Sequence, residues 1–140
     1  MRIELKRLDK DFHFEAKSET GNNAFMDVSV DIGGHNKGVR PMQMLIMGLG
    51  GCSAIDIVMI LKKQKQQIDD FEISIDALRD DGKDFSLWKK IEIHFKLTGK
   101  IEKDKAERAI QLSLSKYCSV SKTLEIAGAT ILYKLSVNGK

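Results

Sequence analysis

Hydrophobic and polar residues alternate with a period of two at several places along this chain. Arg2–Leu8, Phe12–Ala16 and Phe25–Ile32 each carry apolar side chains at every second position or nearly so. Successive side chains of a strand point to opposite faces, so each segment predicts a strand with one face in a core. Turn residues at Asp9–Asp11 and Gly21–Asn23 separate them into a short meander. A glycine-rich polar segment from Gly33 to Arg40, expected as a flexible turn, then leads to Pro41, the single proline. Proline suits the first turn of a helix, and the apolar run after it predicts a long helix to about Gln67. Phe71–Leu78 and Ile91–Leu97 alternate again on either side of Asp80-Asp81-Gly82, a hairpin with a longish loop. Glu102–Tyr117 changes to helical spacing, with Ala106, Ile110, Leu112 and Leu114 on the inner face. Ser119–Ala127 reads as a further short helix closed by Gly128, and Ile131–Val137 as a last strand. The order β-β-β-α-β-β-α-(α)-β gives an α+β class in one domain, residues 1–140, with no internal repeat.

Composition narrows the function classes. With 140 residues the chain can bury a core unaided, and 42% hydrophobic against 31% charged residues excludes a disordered protein. The net charge of +3 is mild and the basic residues are interspersed with acids, which argues against a nucleic-acid partner. Pro41–Leu61 has the length of a membrane span. It carries Gln43, Ser53 and Asp56 and lacks aromatic ends, so we read it as the buried central helix of a soluble protein, with no membrane partner. The opening MRIELKRLDK has no apolar signal core, and a cytoplasmic location is expected. Disulfides there are more often transient and catalytic than structural.

Chemistry concentrates in two cysteines. Cys52 lies in GLGGCSAID and Cys118 in KYCSVSK, 66 positions apart, so they form no CxxC pair and no zinc-ligand spacing. No metal is expected. Gly48, Gly50 and Gly51 sit inside the predicted helix, where each costs about 1 kcal/mol relative to alanine. Such spending fits close approach of another helix or of a substrate; an inert, tightly packed thiol fits it equally. Asp56 follows Cys52 by one helical turn on the same face, and its charge would oppose a thiolate, so it reads as a structural hydrogen-bonding group. Lys116 and Lys122 flank Cys118 either as thiolate-stabilising cations or as solvated helix-end charges. No spacing places His13, His35 or His94 beside a thiol. Trp88 and Phe85 read as core or interface packing, and Met42, Met44, Met47 and Met59 as core filling or an apolar pocket lining.

Taken together, PMQMLIMGLGGCSAIDIV (Pro41–Val58) and KYCSVS (Lys116–Ser121) resemble the OsmC/Ohr family of hydroperoxide-reducing thiol proteins, closest to its YhfA-like branch. The order of elements extends the resemblance over essentially the whole chain. It implies an OsmC-like fold, an intertwined homodimer with sites at the subunit interface, and no cofactor. It also implies a thiol-dependent peroxidase. Cys52 would be the peroxidatic nucleophile, becoming a sulfenic acid, and Cys118 would resolve it to a disulfide that an external dithiol reduces; the substrate would be an organic or other hydroperoxide. Family members carry a glutamate ten residues before the first cysteine, orienting an arginine over it. Here Met42 holds that position and Gln43 follows, able to hydrogen-bond but not to form the ion pair. Arg40, by proximity, is the candidate cation; its alternative is a solvated loop charge. Two other readings of the same scaffold stay open: a non-enzymatic thiol redox switch or small-ligand-binding protein, and a structural dimer with inert thiols.

Overall fold

Three short strands open the chain: β1 (Ile3–Arg7), β2 (Phe14–Ser18) and β3 (Asn23–Met26) form an antiparallel sheet in that order. The computed structural model describes residues 1–82 and 84–140. Its two compact units are Met1–Leu45 and Ile46–Lys140. In the first, β2 starts at Phe14 rather than Phe12. The Asp9 carboxylate accepts the Asp11 and His13 amides at 2.9 and 3.2 Å and so prolongs the turn.

The expected strand Phe25–Ile32 stops at Met26, and Val30–Ile32 is a single 3₁₀ turn. Asp27, 1% exposed, is the cause. Its carboxylate accepts the amides of Val28 (2.8 Å), His35 (3.1 Å) and Lys37 (3.0 Å), capturing donors that a ladder would have used. The loop expected to be flexible is thereby folded onto its own strand, with Val39 bridging to Met26. Two of its glycines are required there. A Cβ on Gly34 would stand 2.1 Å from the Val28 carbonyl oxygen, and one on Gly38 would stand 2.6 Å from the Met26 amide nitrogen.

Helix α1 (Pro41–Lys63) starts at the proline, as predicted, and ends before Gln67 because Lys65 turns left-handed (φ 57°). Strands β4 (Gln67–Arg79) and β5 (Trp88–Lys100) form the predicted antiparallel pair, each longer than its alternating heart. Ile73 faces Phe95 and Ile75 faces Ile93 across the register. After α2 (Lys103–Leu112), a π-helical turn (Ser113–Tyr117) and α3 (Ser119–Ile126), strand β6 (Thr130–Val137) returns parallel to β5. The two helices thus make the crossover that a parallel pair requires.

The core of this second unit follows from both periodicities. Ile91, Ile93, Phe95 and Leu97 are buried at alternate positions of β5. From α2 come Ala106, Ala109 and Ile110, and from α1 a row at every fourth position: Leu49, Ser53, Ile57 and Leu61. Helix α1 is therefore buried along one stripe only, not throughout as its composition suggested. Met47, Ile55 and Met59 are 53%, 64% and 52% exposed on other faces. The fold is α+β, with two three-stranded sheets and three α-helices among the described residues.

Candidate functional site

The same stripe of α1 that enters the core carries the first thiol at its margin. Cys52 is half-buried, next to the buried Ser53, and Asp56 follows one turn later. Gly50 is accounted for within the chain, because a Cβ there would meet Ile75 Cδ1 at 3.1 Å; beside Gly48 and Gly51 there is open space.

Cys118 reaches α1 by way of the π turn. Its amide donates to the Ser113 carbonyl at 2.8 Å, a bond spanning five residues rather than four. Five residues of α-helix would swing a side chain well round the axis, whereas the wider turn returns it toward the same face. Ser113 and Cys118 accordingly both contact α1. The buried Ser113 hydroxyl donates to Asp56 Oδ2 at 3.1 Å, and the Ser53 hydroxyl, bonded to the Leu49 carbonyl at 2.8 Å, also lies 3.7 Å from Cys118 Sγ. Asp56 is thus held by a hydrogen bond, as its position in the sequence suggested.

Cys118 occupies the N-cap of α3, a place usually taken by Ser, Thr, Asn or Asp, and its sulfur accepts the Ser121 amide at 3.4 Å. It is 3% exposed. Burial pushes its thiol above the ordinary cysteine range and the Cys52 thiol adds to that, while the Ser121 amide and Ser53 hydroxyl pull the other way. Net, the structure holds Cys118 as a neutral thiol at neutral pH.

The two cysteines, 66 positions apart in sequence, meet here. Cys52 Sγ, Cys118 Sγ and a carboxylate oxygen of Asp56 all lie within 4.8 Å of one another, and both thiols are free. A solvent-open cavity of about 560 Å³, lined by Asp56, Met59, Ile60, Lys63, Gln64, Leu112 and Tyr117, opens beside Asp56. Sequence reasoning missed Ser113 and Ser121 as partners of this cluster; the small-residue character of KYCSVS hinted at Ser121, and nothing pointed to Ser113.

The remaining candidates are engaged elsewhere. Lys116 Nζ lies 5.5 Å from the Tyr117 ring centroid and Lys122 pairs with Glu125, so the flanking lysines are solvated helix-end charges. Gln43 accepts the Arg40 amide at 3.0 Å, the return half of a capping box at the start of α1. The Arg40 guanidinium donates to Asn36 Oδ1 at 2.6 Å and to the Gly38 carbonyl at 3.3 Å. His94 bonds Ser136 Oγ, His35 bonds Asp11, and His13 stacks obliquely on Phe25. Trp88 packs against the core with Arg79 over its ring, whereas Phe85 is 71% exposed.

Comparison with known proteins places this arrangement in context. Over 115 residues, 81% of this chain and 82% of the other, the sequence is 40% identical to Protein YhfA of Escherichia coli strain K12. A crystal structure of a hypothetical protein from Aquifex aeolicus VF5 superposes with a TM-score of 0.80 at 28% identity, covering 98% of this chain and 96% of that one. An organic hydroperoxide resistance protein, OsmC, from Legionella pneumophila shares the fold at a TM-score of 0.67 and 16% identity, covering 98% and 96% of the two chains. The family model described as OsmC-like protein matches residues 34–133, a span that takes in both cysteines, the helix bearing the first and the turn that leads to the second. The chain belongs to the OsmC-like family.

Proposed function

We propose that the chain is a thiol-dependent peroxidase acting on organic or other hydroperoxides, with Cys52 as nucleophile and Cys118 as resolving thiol. The observation that carries this reading is the meeting of the two sulfurs within 4.8 Å, one half-buried and one buried, across 66 residues of sequence. The hydroperoxide resistance protein of the same fold supports the substrate class. In the proposed cycle the Cys52 thiolate attacks one peroxide oxygen. The S–O bond forms as the O–O bond breaks, and the leaving oxygen takes a proton to depart as alcohol or water. Cys118 then attacks the sulfenic sulfur, water leaves, and an external dithiol reduces the disulfide by exchange. A thiol held neutral, as Cys118 is, waits for that second step and does not compete for peroxide.

The working unit in this reading is a homodimer. Met47, Ile55 and Met59 leave apolar surface on α1, and Gly48 and Gly51 leave room for close backbone approach. A cytoplasmic setting fits a pair that must return to the reduced state. No cofactor enters the cycle.

A second reading, a non-enzymatic redox switch, is favoured by Met42 at the place of the family glutamate and by the Asp56 carboxylate beside the sulfurs. Steady-state consumption of cumene hydroperoxide with a dithiol separates the two. Sustained turnover, lost in Cys52→Ser and strongly reduced in Cys118→Ser, supports the peroxidase; stoichiometric oxidation without turnover replaces it with the switch.

A further inference from the structure

Cys52, Asp56 and Cys118 present two sulfurs and one carboxylate oxygen at mutual separations of no more than 4.8 Å. We propose that these three side chains bind one thiophilic divalent cation of the zinc class, and bind it only when both cysteines are reduced. This site does not depend on peroxidase activity; it reuses the thiols for a different chemistry.

Three lines of geometry support it. The first is the donor set. Zinc takes cysteine sulfur at about 2.3 Å and carboxylate oxygen at about 2.0–2.2 Å, so donors on a tetrahedral ion stand about 3.6–3.8 Å apart. The observed separations are within about an ångström of that, a difference that rotation of two half-buried side chains can close. Cys52 and Asp56 are offset by four residues on one helix, the spacing by which helical ligand pairs converge on a metal.

The second is the support behind each ligand. Ser113 holds Asp56 Oδ2 at 3.1 Å and leaves the other oxygen for coordination. Cys118 Sγ accepts the Ser121 amide at 3.4 Å, with the Ser53 hydroxyl at 3.7 Å, and such donors steady a metal-bound thiolate.

The third is access. Of the three donors, Asp56 lines a solvent-open cavity and Cys52 is half-buried, whereas Cys118 is buried behind them. Three protein ligands leave the fourth position to water, so the bound ion is exchangeable rather than structural. On binding, each thiol passes its proton to solvent and becomes a thiolate ligand. With its sulfurs occupied the pair can neither attack a peroxide nor close a disulfide, so the cation and the oxidant compete for the same atoms.

The test uses the reduced full-length protein, without peroxide, titrated with cobalt(II) as a spectroscopic probe and with zinc(II) against a chromophoric chelator. We expect one ion per protomer and thiolate-to-cobalt charge-transfer bands with intense tetrahedral visible bands. Both should vanish in Cys52→Ser, in Cys118→Ser and in the diamide-oxidised wild type, whose chain is unmutated. Asp56→Asn, which keeps the side-chain shape, should weaken zinc binding at least about tenfold. Absence of saturable binding or of thiolate bands in reduced wild-type protein overturns the site. Unchanged affinity in Asp56→Asn overturns the three-donor assignment. An inactive peroxidase that still binds cobalt leaves this inference standing and removes only the catalytic one.

Discussion

Oxidising Cys52 and Cys118 to a disulfide should stabilise the protein, by an amount the chain itself sets. The bond would close a loop of 66 positions. Restricting the unfolded chain over that length is worth about 4 kcal/mol at room temperature. Against this stands native strain, because sulfurs separated by up to 4.8 Å must reach the bonding distance of about 2 Å. Helix α1 is fixed by Leu49, Ile57 and Leu61 in the core, so the approach falls on the π turn and Cys118, where the backbone departs from regular helix. We expect a net gain of about 2–4 kcal/mol, which corresponds to a rise in Tm of roughly 6–12 °C for a chain of this size. The assay is guanidinium and thermal unfolding of reduced and peroxide-treated protein at one protomer concentration, with Cys52→Ser as the unresponsive control and intact mass to verify the bond. An unchanged or lower midpoint in protein shown to carry the disulfide would refute the reasoning. It would mean that closure distorts the native frame more than it restrains the unfolded chain, and that the pair is not set to bond.

Three further outcomes are expected. Ile55→Glu, on the exposed side of α1, should convert a dimer into monomers by light scattering; an unchanged mass would place any dimer interface elsewhere. Asp27→Asn should lower stability most at neutral pH. The Lys37 amide, helped by those of Val28 and His35, holds the Asp27 carboxyl below the usual carboxylate range despite burial. Its contribution is therefore present above that range and is lost as pH falls through the lowered folded value, so the difference between wild type and variant in urea midpoint should shrink toward acid pH. A difference independent of pH would show that shape rather than charge holds the loop. Phe95→Ala should cost about 3–5 kcal/mol by urea unfolding, since the ring is fully buried between Phe71 and Tyr133; a loss below 1 kcal/mol would mean that the core has collapsed around it.

What the sequence disclosed depended on how local the cause was. The β4–β5 hairpin was legible because Ile73, Ile75, Ile93 and Phe95 alternate cleanly and face one another in the register. The start of α1 was legible because proline fixes it. By contrast, Asp27 reads as one more polar position in a strand, until its carboxylate gathers amides up to ten residues away. The π turn reads as continuous helix, because Ala106, Ile110 and Leu114 keep helical spacing and one extra residue in the hydrogen-bond register leaves no mark on it. At the site, each cysteine stood out in its run of small residues. Their encounter did not, nor did the bonds from Ser113 to Asp56 across 57 positions and from Ser53 to Cys118 across 65. Those depend on how α1 and the segment after α2 pack, and of them the family resemblance implied only the meeting of the two cysteines. The three-donor cluster had no such forerunner: no metal was expected, and no local spacing links Cys118 to Cys52 and Asp56.

The measurement closest to the central claim is a single turnover of the reduced protein with cumene hydroperoxide, and separately with hydrogen peroxide, followed by thiol counting and intact mass. The account predicts rapid loss of both thiols and a mass lower by two hydrogens. In Cys52→Ser the reaction should be abolished. In Cys118→Ser it should stop at an oxygen adduct on Cys52, which only a second equivalent of peroxide carries to the sulfinic acid. Thiols that survive minutes of exposure to both oxidants, with an unchanged mass, would contradict it: the OsmC-like fold would then hold two adjacent thiols that do not reduce peroxides.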